Sequence, residues 1–402
     1  MPGSAAAGSR SAVALTSLRF LSAAALLIPL GSTAQGQLPE GVRWPVVNGA
    51  SPRLQIVVPQ LASVTVGTAD GPDPTLLAGV VGAARLPDGS LAIGDAGNNR
   101  VLFFDKNARY VKTAGRSGAG PGEYRQPLWF GRCANGNFAY HDGNQSRVSF
   151  LSPDGAYRGA VPLPAGIHFD PIVWCSGRGS FFFLYNRARD PVRKGEIERV
   201  PAALVHVTAG RADTLWKGGI QEYYVGKTAP AYFPVPFGEA ALAAGAGNRI
   251  YACANLTARC TVFDSGGATL REFTINVTPQ RPSPEAWDRA REELVTSLPT
   301  KTLRDLGVKV LNELPPRRNA YPLIDKVTGD RRGNLWARTL DNYATGWATW
   351  LVVSERGSIV AAVAAPRRFH PLEIDSEYIV GLTRDIDGVE RVEVRTLRPF
   401  DR

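Results

Sequence analysis

The chain has 402 residues, of which 44% are hydrophobic and 20% charged, and this composition excludes a disordered chain. Its 42 glycines and 30 prolines follow no collagen-like or low-complexity period, so they favour an all-β protein whose many short strands are joined by tight turns. The formal net charge of +10 bears on solubility and non-specific association, and it says nothing about the fold.

The N-terminal segment has the pattern of a secretory signal peptide. Arg10 and Arg19 precede an apolar run at 20–30, which is too short to cross a bilayer, and small residues follow it up to Ala34. This pattern predicts a signal peptide at 1–34 and a periplasmic or secreted mature protein without a membrane span. An uncleaved anchor is the alternative.

A repeated unit begins at residue 84 and recurs at 132–161. In the first copy the predicted elements are, in order, a turn at 87–89 and strands at 90–95, 99–105 and 109–114. Weaker copies follow at 173–216, 244–273 and 326–363, and strands continue over 373–397. The first turns of these copies place glycines at similar positions, namely Gly89, Gly136, Gly179, Gly247 and Gly333.

Four alternating strands in about 45 residues is the pattern of one β-propeller blade. We therefore predict a six-bladed, all-β propeller over 61–402, preceded by an N-terminal segment at 35–60. The strand at 61–67 is expected to pair with the sixth blade and close the ring, because an open array would leave an unpaired edge. Two separate sandwiches are the alternative.

One segment, 283–314, has a helical pattern instead. Ser283 suits an N-cap and Pro284 the first helical position, and apolar residues recur at helical spacing after them. A second helix is predicted at about 301–313. This helical insertion falls between the fourth and fifth blades, so we expect it on the face that carries the inter-blade loops.

Four cysteines in an exported chain are candidates for two disulfides, with three possible connectivities. Cys253 and Cys260 lie near the ends of one predicted hairpin, where cross-strand partners are close enough to bridge. Cys133 and Cys175 occupy similar places in successive copies of the repeat. We favour the pairs 253–260 and 133–175.

The first copy contains the pattern D-x-x-N-x-R-V followed by a turn, formed by Asp95, Asn98, Arg100, Val101, Phe104 and Asp105. This pattern resembles the NHL-repeat six-bladed propellers. The second copy keeps part of it, as Asp142, Gln145, Arg147 and Val148, and the glycine-rich loop 115–124 looks like a stretch found in exported bacterial six-bladed propellers. The resemblance implies the fold more strongly than any function.

Two arginines recur at the same place in the first two copies. Arg100 and Arg147 are expected to reach from strand starts to neighbouring carboxylates or carbonyls, because the guanidinium is a planar group with five donors. The competing interpretation gives them a role in binding.

Candidate ligand-binding residues concentrate in the loops of the inter-blade face. They favour a binding module for a peptide, a glycan or a protein, with the ligand held under the helical insertion. The candidates are Asp95, Asn98, Arg116, Glu123, His141, Asp142, His168, Asp341, Asn342 and His370.

The alternative function is that of a metal-dependent hydrolase or lyase acting at the central channel. Amidating lyases that resemble this repeat hold zinc with histidines, and gluconolactonase-like propellers hold a divalent metal with oxygen ligands. The aspartates and asparagines that could form such a site also suit the capping of their own turns. No cofactor is predicted, and a divalent metal in the channel remains the alternative.

The remaining basic residues are dispersed and form no stripe with interleaved aromatic residues, so nucleic acid is not an expected partner. We expect a monomer that binds a protein, a peptide or a cell-envelope glycan.

Overall fold

The structure is a computed structural model that describes residues 39–167, 172–185, 193–229, 231–298, 301–314 and 321–397. The predicted signal peptide lies outside these residues, as does His168. Within the described ranges, none of the helices has the length and apolar character needed to cross a membrane.

Most elements are strands, and the first sheets follow one another along the chain. Two short strands come first, β1 (Gln55–Val57) and β2 (Val64–Val66). Sheet 1 contains β3 (Val80–Arg85), β4 (Leu91–Asp95), β5 (Arg100–Phe104) and β6 (Tyr110–Ala114), and the two-stranded ribbon β7 (Arg116–Ser117) and β8 (Glu123–Tyr124) follows it. Sheet 2 contains β9 (Pro127–Arg132), β10 (Phe138–Asp142), β11 (Arg147–Leu151) and β12 (Tyr157–Pro162).

The middle of the chain forms two more sheets and the helices. Sheet 3 contains β13 (Ile172–Cys175), β14 (Ser180–Tyr185), β15 (Ile197–Thr208), β16 (Arg211–Val225) and β17 (Tyr232–Pro234). Sheet 4 contains β18 (Ala241–Ala246), β19 (Arg249–Ala254), β20 (Arg259–Asp264) and β21 (Thr269–Thr274). The helices α1 (Pro284–Ser297) and α2 (Lys301–Asn312) come next, and short 3₁₀ turns occur earlier at Asp73–Thr75 and Ala96–Asn98.

The last two sheets each take a strand from the start of the chain. Sheet 5 contains β22 (Ile324–Gly329), β23 (Leu335–Thr339), β24 (Trp347–Val353) and β25 (Ile359–Pro366), with β1 added in parallel beside β25. Sheet 6 contains β26 (His370–Ile374), β27 (Tyr378–Arg384) and β28 (Glu390–Thr396), with β2 antiparallel to β28.

The pairing of β2 confirms the prediction that the strand at 61–67 joins the last sheet, with Val64 opposite Val394. The role of β1 was not predicted. The segment 35–60 contributes this strand and also the buried Val47, which belongs to the core between sheets 4 and 5. The described part of the N-terminal segment therefore packs with the sheets.

Burial differs systematically across each sheet. Every residue of β4 and β5, the two middle strands of sheet 1, is buried, whereas β6 at the outer edge is almost entirely exposed. A strand covered on both faces needs apolar side chains on both faces, which explains the continuous apolar run in β5. The sheets thus pack face to face through their middle strands, as blades do in a propeller-like fold.

The innermost strands of neighbouring sheets approach each other closely. Strand β3 contacts β9 and β26, and β18 contacts β13 and β22. Glycines permit this approach, since a Cβ atom at Gly82 would overlap the carbonyl oxygen of Phe130, and one at Gly329 would overlap that of Gly245. The first-turn glycines have positive φ, 90° at Gly89 and 95° at Gly333, as the turn pattern requires.

Both predicted disulfides are present. Cys133 and Cys175 join the ends of β9 and β13 with their Cα atoms 4.8 Å apart, and Cys253 and Cys260 join β19 to β20 at 4.1 Å. The first bond connects two sheets, and the second lies within one hairpin. Two disulfides are compatible with an extracellular location.

The two helices confirm the predicted insertion, including Ser283 as the N-cap, whose hydroxyl accepts the amide of Ala286 at 3.3 Å. The third copy of the repeat was predicted to end at residue 216, but β16 continues to Val225 and pairs with β17. The aromatic residues of this hairpin, Tyr224 and Phe233, pack against α2, which gives the extended hairpin its apolar partner.

Candidate functional site

The sheets have two chemically different ends. In an antiparallel sheet, the turns after the first and third strands lie at one end, which we call the turn end. The loop after the second strand and the connection to the next sheet lie at the other, which we call the insert end. The helices α1 and α2 connect β21, the last strand of sheet 4, to β22, the first strand of sheet 5, and so belong to the insert end.

A cavity of about 1080 Å³ opens at the turn end. First strands from all of the sheets contribute to its wall, through Ala83, Gly131, Val173, Ala244, Thr328 and Leu372. First and third turns form its rim, among them the turns at 134–136, 247–249 and 330–334. The cavity therefore depends on many sheets, each of which supplies a few residues.

Aromatic and small residues line the inner part of this cavity. The indole of Trp174 is fixed in the wall because its Nε1 donates to the carbonyl oxygen of Gly247 at 2.8 Å. Trp129 and Phe130 lie in the lining as well. Charged side chains share the lining with these rings, so the cavity presents both apolar surface and polar groups.

Charged pairs surround the cavity. Arg132 lies 3.1 Å from Glu373 inside it, and at the rim Arg249 lies 2.7 Å from Glu355. The hydrogen bond from Arg249 lowers the pKa of Glu355 from its ordinary value, so this carboxylate is ionised near neutral pH. Arg332 is exposed at the rim and forms no ion pair with any described residue.

The insert end is filled by side chains. Helix α1 carries Glu293 into a group of cations, where its Oε1 accepts Lys326 Nζ at 2.6 Å and Arg338 at 2.8 Å. Its Oε2 accepts the Tyr343 hydroxyl at 3.2 Å and Arg367 at 3.5 Å. We call these residues, together with Asp325, the Glu293 cluster.

Asp325 completes the cluster by accepting Arg338 through both carboxylate oxygens, each at 2.7 Å. Arg338 is only 2% exposed, and Arg367 stacks 4.0 Å above the ring of Tyr343. Burial alone would raise the pKa of Glu293, but Arg338, Lys326 and Arg367 lower it well below its ordinary value. Glu293 is therefore ionised, and it ties the insertion to sheet 5.

Apolar contacts support this attachment. Ala286 and Ala290 of α1 pack with Phe237 and Tyr343, and Val310 of α2 packs against the end of sheet 3. The insertion thus contacts sheets 3 and 5 at the insert end.

Two of the predicted site residues cap turns in equivalent ways. Asp95 accepts the amide of Ala78 at 2.9 Å, the Asn98 side chain at 2.9 Å and Arg100 at 2.8 Å. In sheet 2, Asp142 accepts the backbone amides of residues 125, 126 and 145 and the side chain of Gln145. Both carboxylates are fully buried, so the turn-capping interpretation accounts for them.

The repeated arginines confirm their predicted role. Arg100 donates to Asp95 and to the carbonyl oxygen of Asp73, and Arg147 donates to the carbonyl oxygens of Gly120 and Glu123 at 2.7 and 2.8 Å. Arg147 thereby holds the glycine-rich loop. Within that loop Arg116 pairs with Glu123 at 2.8 Å.

The other predicted residues are scattered. His141 is buried against the edge of Phe183, and Asn342 exchanges hydrogen bonds of 2.8 Å with the backbone of Arg43, which fixes the N-terminal segment. Burial raises the pKa of Asp341. The carbonyl oxygen of Asn342 also accepts Arg367 of the Glu293 cluster at 3.0 Å, and burial and the charge of Lys326 lower the pKa of His370, at the start of β26, to about 3.

The nine candidates that the structure describes are thus not gathered into one site. The described residues also contain no group of three or more histidine, cysteine, aspartate or glutamate side chains that could hold a metal ion. Sequence reasoning missed the Glu293 cluster. Its one available signal was an arginine in the otherwise apolar strand β23, Leu-Trp-Ala-Arg-Thr, since a buried arginine needs a buried partner.

No protein-family model matches the chain, and no curated protein matches it. Similar solved structures include a member of the DUF4221 family from Bacteroides vulgatus, with 10% identity, coverage of 86% of this chain and 98% of that one, and a TM-score of 0.48. Virginiamycin B lyase from Staphylococcus aureus is similar at 11% identity, 82% and 98% coverage and a TM-score of 0.38. A gluconolactonase from Xanthomonas campestris is similar at 10% identity, 80% and 86% coverage and a TM-score of 0.40. These similarities are remote, and the function proposed below rests on the residues of this chain.

Proposed function

We propose that the chain is an exported, monomeric six-bladed propeller that binds a peptide, a glycan or a protein segment in the turn-end cavity. Sheets 1 to 6 are the blades, and the pairing of β2 with β28 closes the ring. The N-terminal signal pattern and the two disulfides support export. The observation that carries the binding proposal is the cavity of about 1080 Å³, to which the innermost strands all contribute.

This proposal places the ligand at the opposite end from the one that the sequence suggested. The inter-blade face was expected to hold it beneath the helical insertion. In the structure the insertion brings Glu293 into contact with Lys326 and Arg338, so its own side chains occupy that position. The turn end has only short connections and leaves the channel open.

The metal-dependent alternative lacks support from the described residues. Asp95, Asp142, Asn255 and Asn342 each accept backbone amides of nearby loops, which supports the turn-capping interpretation for these four, whereas Asn99 Oδ1 and Asp341 Oδ2 are buried without a hydrogen-bond partner among the described residues. Metal analysis of the purified protein separates the two classes. A stoichiometric divalent metal whose removal abolishes hydrolysis of lactone or ester substrates would favour the enzyme over the binding module.

Two matched variants test the site. Ala134 is exposed at the rim of the cavity, whereas Ala268 is exposed in the third turn of sheet 4 and lies outside the lining. The purified mature protein is applied to peptide and cell-envelope glycan arrays. We expect Ala134→Trp to weaken binding at least tenfold by blocking the rim, and Ala268→Trp to leave it unchanged.

Binding that survives Ala134→Trp would place the site elsewhere. Absence of binding on both arrays would count against the proposed function itself.

A further inference from the structure

Arg132 and Glu373 form an ion pair inside the turn-end cavity. Arg132 ends β9 and Glu373 lies on β26, and strand β3 contacts both of these strands. Arg132 Nε donates to Glu373 Oε2 at 3.1 Å, and its Nη2 donates to the carbonyl oxygen of Arg85 at 2.8 Å. The two side chains are 14% and 9% exposed, whereas that of Arg249 at the rim is 34% exposed.

Both members of this pair are held in place by their surroundings. The guanidinium carbon of Arg132 lies 5.1 Å from the centre of the Phe138 ring. Glu373 Oε1 accepts the backbone amide of Arg85 at 2.9 Å and the hydroxyl of Tyr378 at 3.3 Å. Polar groups that are fixed before a ligand arrives lose less conformational freedom when they bind it.

The pair also keeps unused hydrogen-bonding capacity. Nε and Nη2 of Arg132 are engaged, whereas Nη1 bonds to none of the described residues. Among the same residues, Glu373 Oε2 accepts only Arg132, and a carboxylate oxygen can accept more than one donor. Two side chains of the cavity lining thus offer a donor and an acceptor next to each other.

The charge of the pair decides which ligand group it suits. The pair is neutral as a whole, so a carboxylate that approached Arg132 would be repelled by Glu373, and an amine at Glu373 would be repelled by Arg132. Hydroxyl groups on neighbouring carbons suit both, since each hydroxyl accepts as well as donates. A backbone peptide group does not, because the N–H and C=O of a trans peptide point in opposite directions.

Two indoles supply apolar surface in the same cavity. Trp129 precedes Arg132 on β9 and lies against Gly131, where a Cβ atom would be 2.4 Å from the ring. Trp174 lies against Gly245 of β18 in the same way, with a Cβ atom there 2.9 Å from its Cδ1. A sugar ring has C–H groups on its faces and hydroxyls at its edge, so it can use aromatic surface and polar groups together.

We propose that the turn-end cavity takes a neutral glycan, and that Arg132 and Glu373 bind two neighbouring hydroxyl groups of one sugar ring. Arg132 donates through Nη1, and Glu373 accepts through Oε2. This inference rests on the binding function proposed above, and it selects the glycan from the three ligand classes named there.

The experiment measures binding to the full mature protein by isothermal titration calorimetry. The neutral probes are maltotriose, mannotriose and N-acetylchitotriose, the acidic probe is trigalacturonate, and a tetrapeptide library is the peptide probe. We expect a neutral trisaccharide to bind more tightly than trigalacturonate and the peptides. Methylation of its hydroxyls should weaken binding about tenfold or more, because the donors to Glu373 are lost.

Two variants test the roles of the pair. Arg132→Lys keeps the positive charge beside Glu373 but removes the second terminal nitrogen, and it should weaken binding of the neutral trisaccharide about tenfold or more. Glu373→Gln removes the charge that repels a carboxylate. It should therefore weaken binding of the neutral trisaccharide and strengthen binding of trigalacturonate several-fold, an exchange that a loss of stability would not produce.

Arg384→Lys is the matched control. Arg384 is 17% exposed and lies 2.6 Å from Glu390, which is 6% exposed, and neither residue lines the cavity. This variant alters a pair of similar burial, and it should leave the affinity for every probe unchanged.

The outcomes separate this inference from the function on which it rests. Peptide binding that Ala134→Trp weakens, without binding of a neutral trisaccharide, would overturn the glycan and leave the binding function standing. Binding of no probe would count against both. Equal affinity of the wild type and Arg132→Lys for the neutral trisaccharide would overturn the role of the pair, and if Arg132→Lys fails to fold, the exchange expected for Glu373→Gln decides the matter.

Discussion

The turn end and the insert end of the sheets differ in what lies over the innermost strands. At the turn end the connections are short turns built around glycines such as Gly89 and Gly333, and a cavity remains between them. At the insert end the chain adds two helices and fills the space with paired charges. The cavity of about 1080 Å³ thus lies at the end with the shorter connections.

Exposed and buried ion pairs occur in the same molecule. Arg249 and Glu355 at the rim of the turn-end cavity are 34% and 42% exposed, whereas Arg338 and Glu293 at the insert end are 2% and 10% exposed, and Arg132 and Glu373 inside the cavity are 14% and 9% exposed. Exposed pairs contribute little to stability, and breaking a buried pair leaves a charge without compensation. We therefore expect substitutions in the buried pairs to cost more stability than substitutions in the exposed pair at the rim.

The largest effect is expected from Arg338→Met, which keeps the side-chain volume and removes the bidentate partner of Asp325. We expect it to lower the free energy of unfolding by about 3–5 kcal/mol. Urea denaturation followed by tryptophan fluorescence measures the change. The control, Arg259→Met, breaks a pair with Glu272 that is exposed on both sides and should cost about 0–1 kcal/mol. Equal losses would show that burial does not distinguish the two pairs.

A smaller difference is expected between the disulfides, one of which lies at each end. Cys133 and Cys175 are 42 residues apart, and Cys253 and Cys260 are 7 apart. Because a bond that closes a longer loop restricts the unfolded chain more, replacing the first pair by alanines should cost about 4 kcal/mol and replacing the second about 2 kcal/mol. Thermal and urea unfolding of the two double variants measure both. A larger loss from the second pair would contradict the chain-entropy argument.

The insert end should also govern the acid response. His370 has a folded pKa of about 3 against an ordinary 6.5, so its contribution to stability is present above pH 6.5 and is lost as the pH falls towards 3. The pKa of Glu293 is lowered from 4.5, so its contribution is lost only below that value. The free energy of unfolding is measured from pH 7 to pH 2 for the wild type and two variants. Above pH 4.5 it should depend less on pH in His370→Gln than in the wild type, and below pH 4.5 it should depend less on pH in Glu293→Gln than in the wild type.

A matched turn-end variant sharpens this comparison. Arg332→Gln removes an exposed cation at the rim and should leave the pH dependence as in the wild type. If Arg332→Gln alters the acid response as much as His370→Gln does, the response does not originate at the insert end.

Much of the fold could be predicted because glycines mark the turns of each copy of the repeat. The predicted strand 90–95 is observed as Leu91–Asp95 and the predicted strand 109–114 as Tyr110–Ala114, and the flanking glycines mark where each begins. Strand β1 was not predicted, because it consists of Gln-Ile-Val alone and pairs in parallel with β25, near the other end of the chain. No local pattern signals such a partner.

The sites were harder to predict for a related reason. The motif residues Asp95 and Asp142 were predicted as site residues because they recur. They recur because each caps the same turn in its own sheet. The turn-end cavity is assembled from single residues such as Ala83, Val173 and Thr328, which carry no motif. The Glu293 cluster joins a helix to three later segments, and only their arrangement in space makes it a site.

The pairing of β2 with β28 sets an order for folding. The hydroxyl of Ser63 donates to the carbonyl oxygen of Val394 at 2.9 Å, across a sequence separation of 331 residues. Contacts so distant along the chain form slowly, since a long loop must close before they contribute. The sixth sheet therefore stays incomplete until the last strand has been synthesised, and a nascent chain lacking β28 exposes the edge of β2. Such a chain cannot complete its sixth sheet while it is still being made.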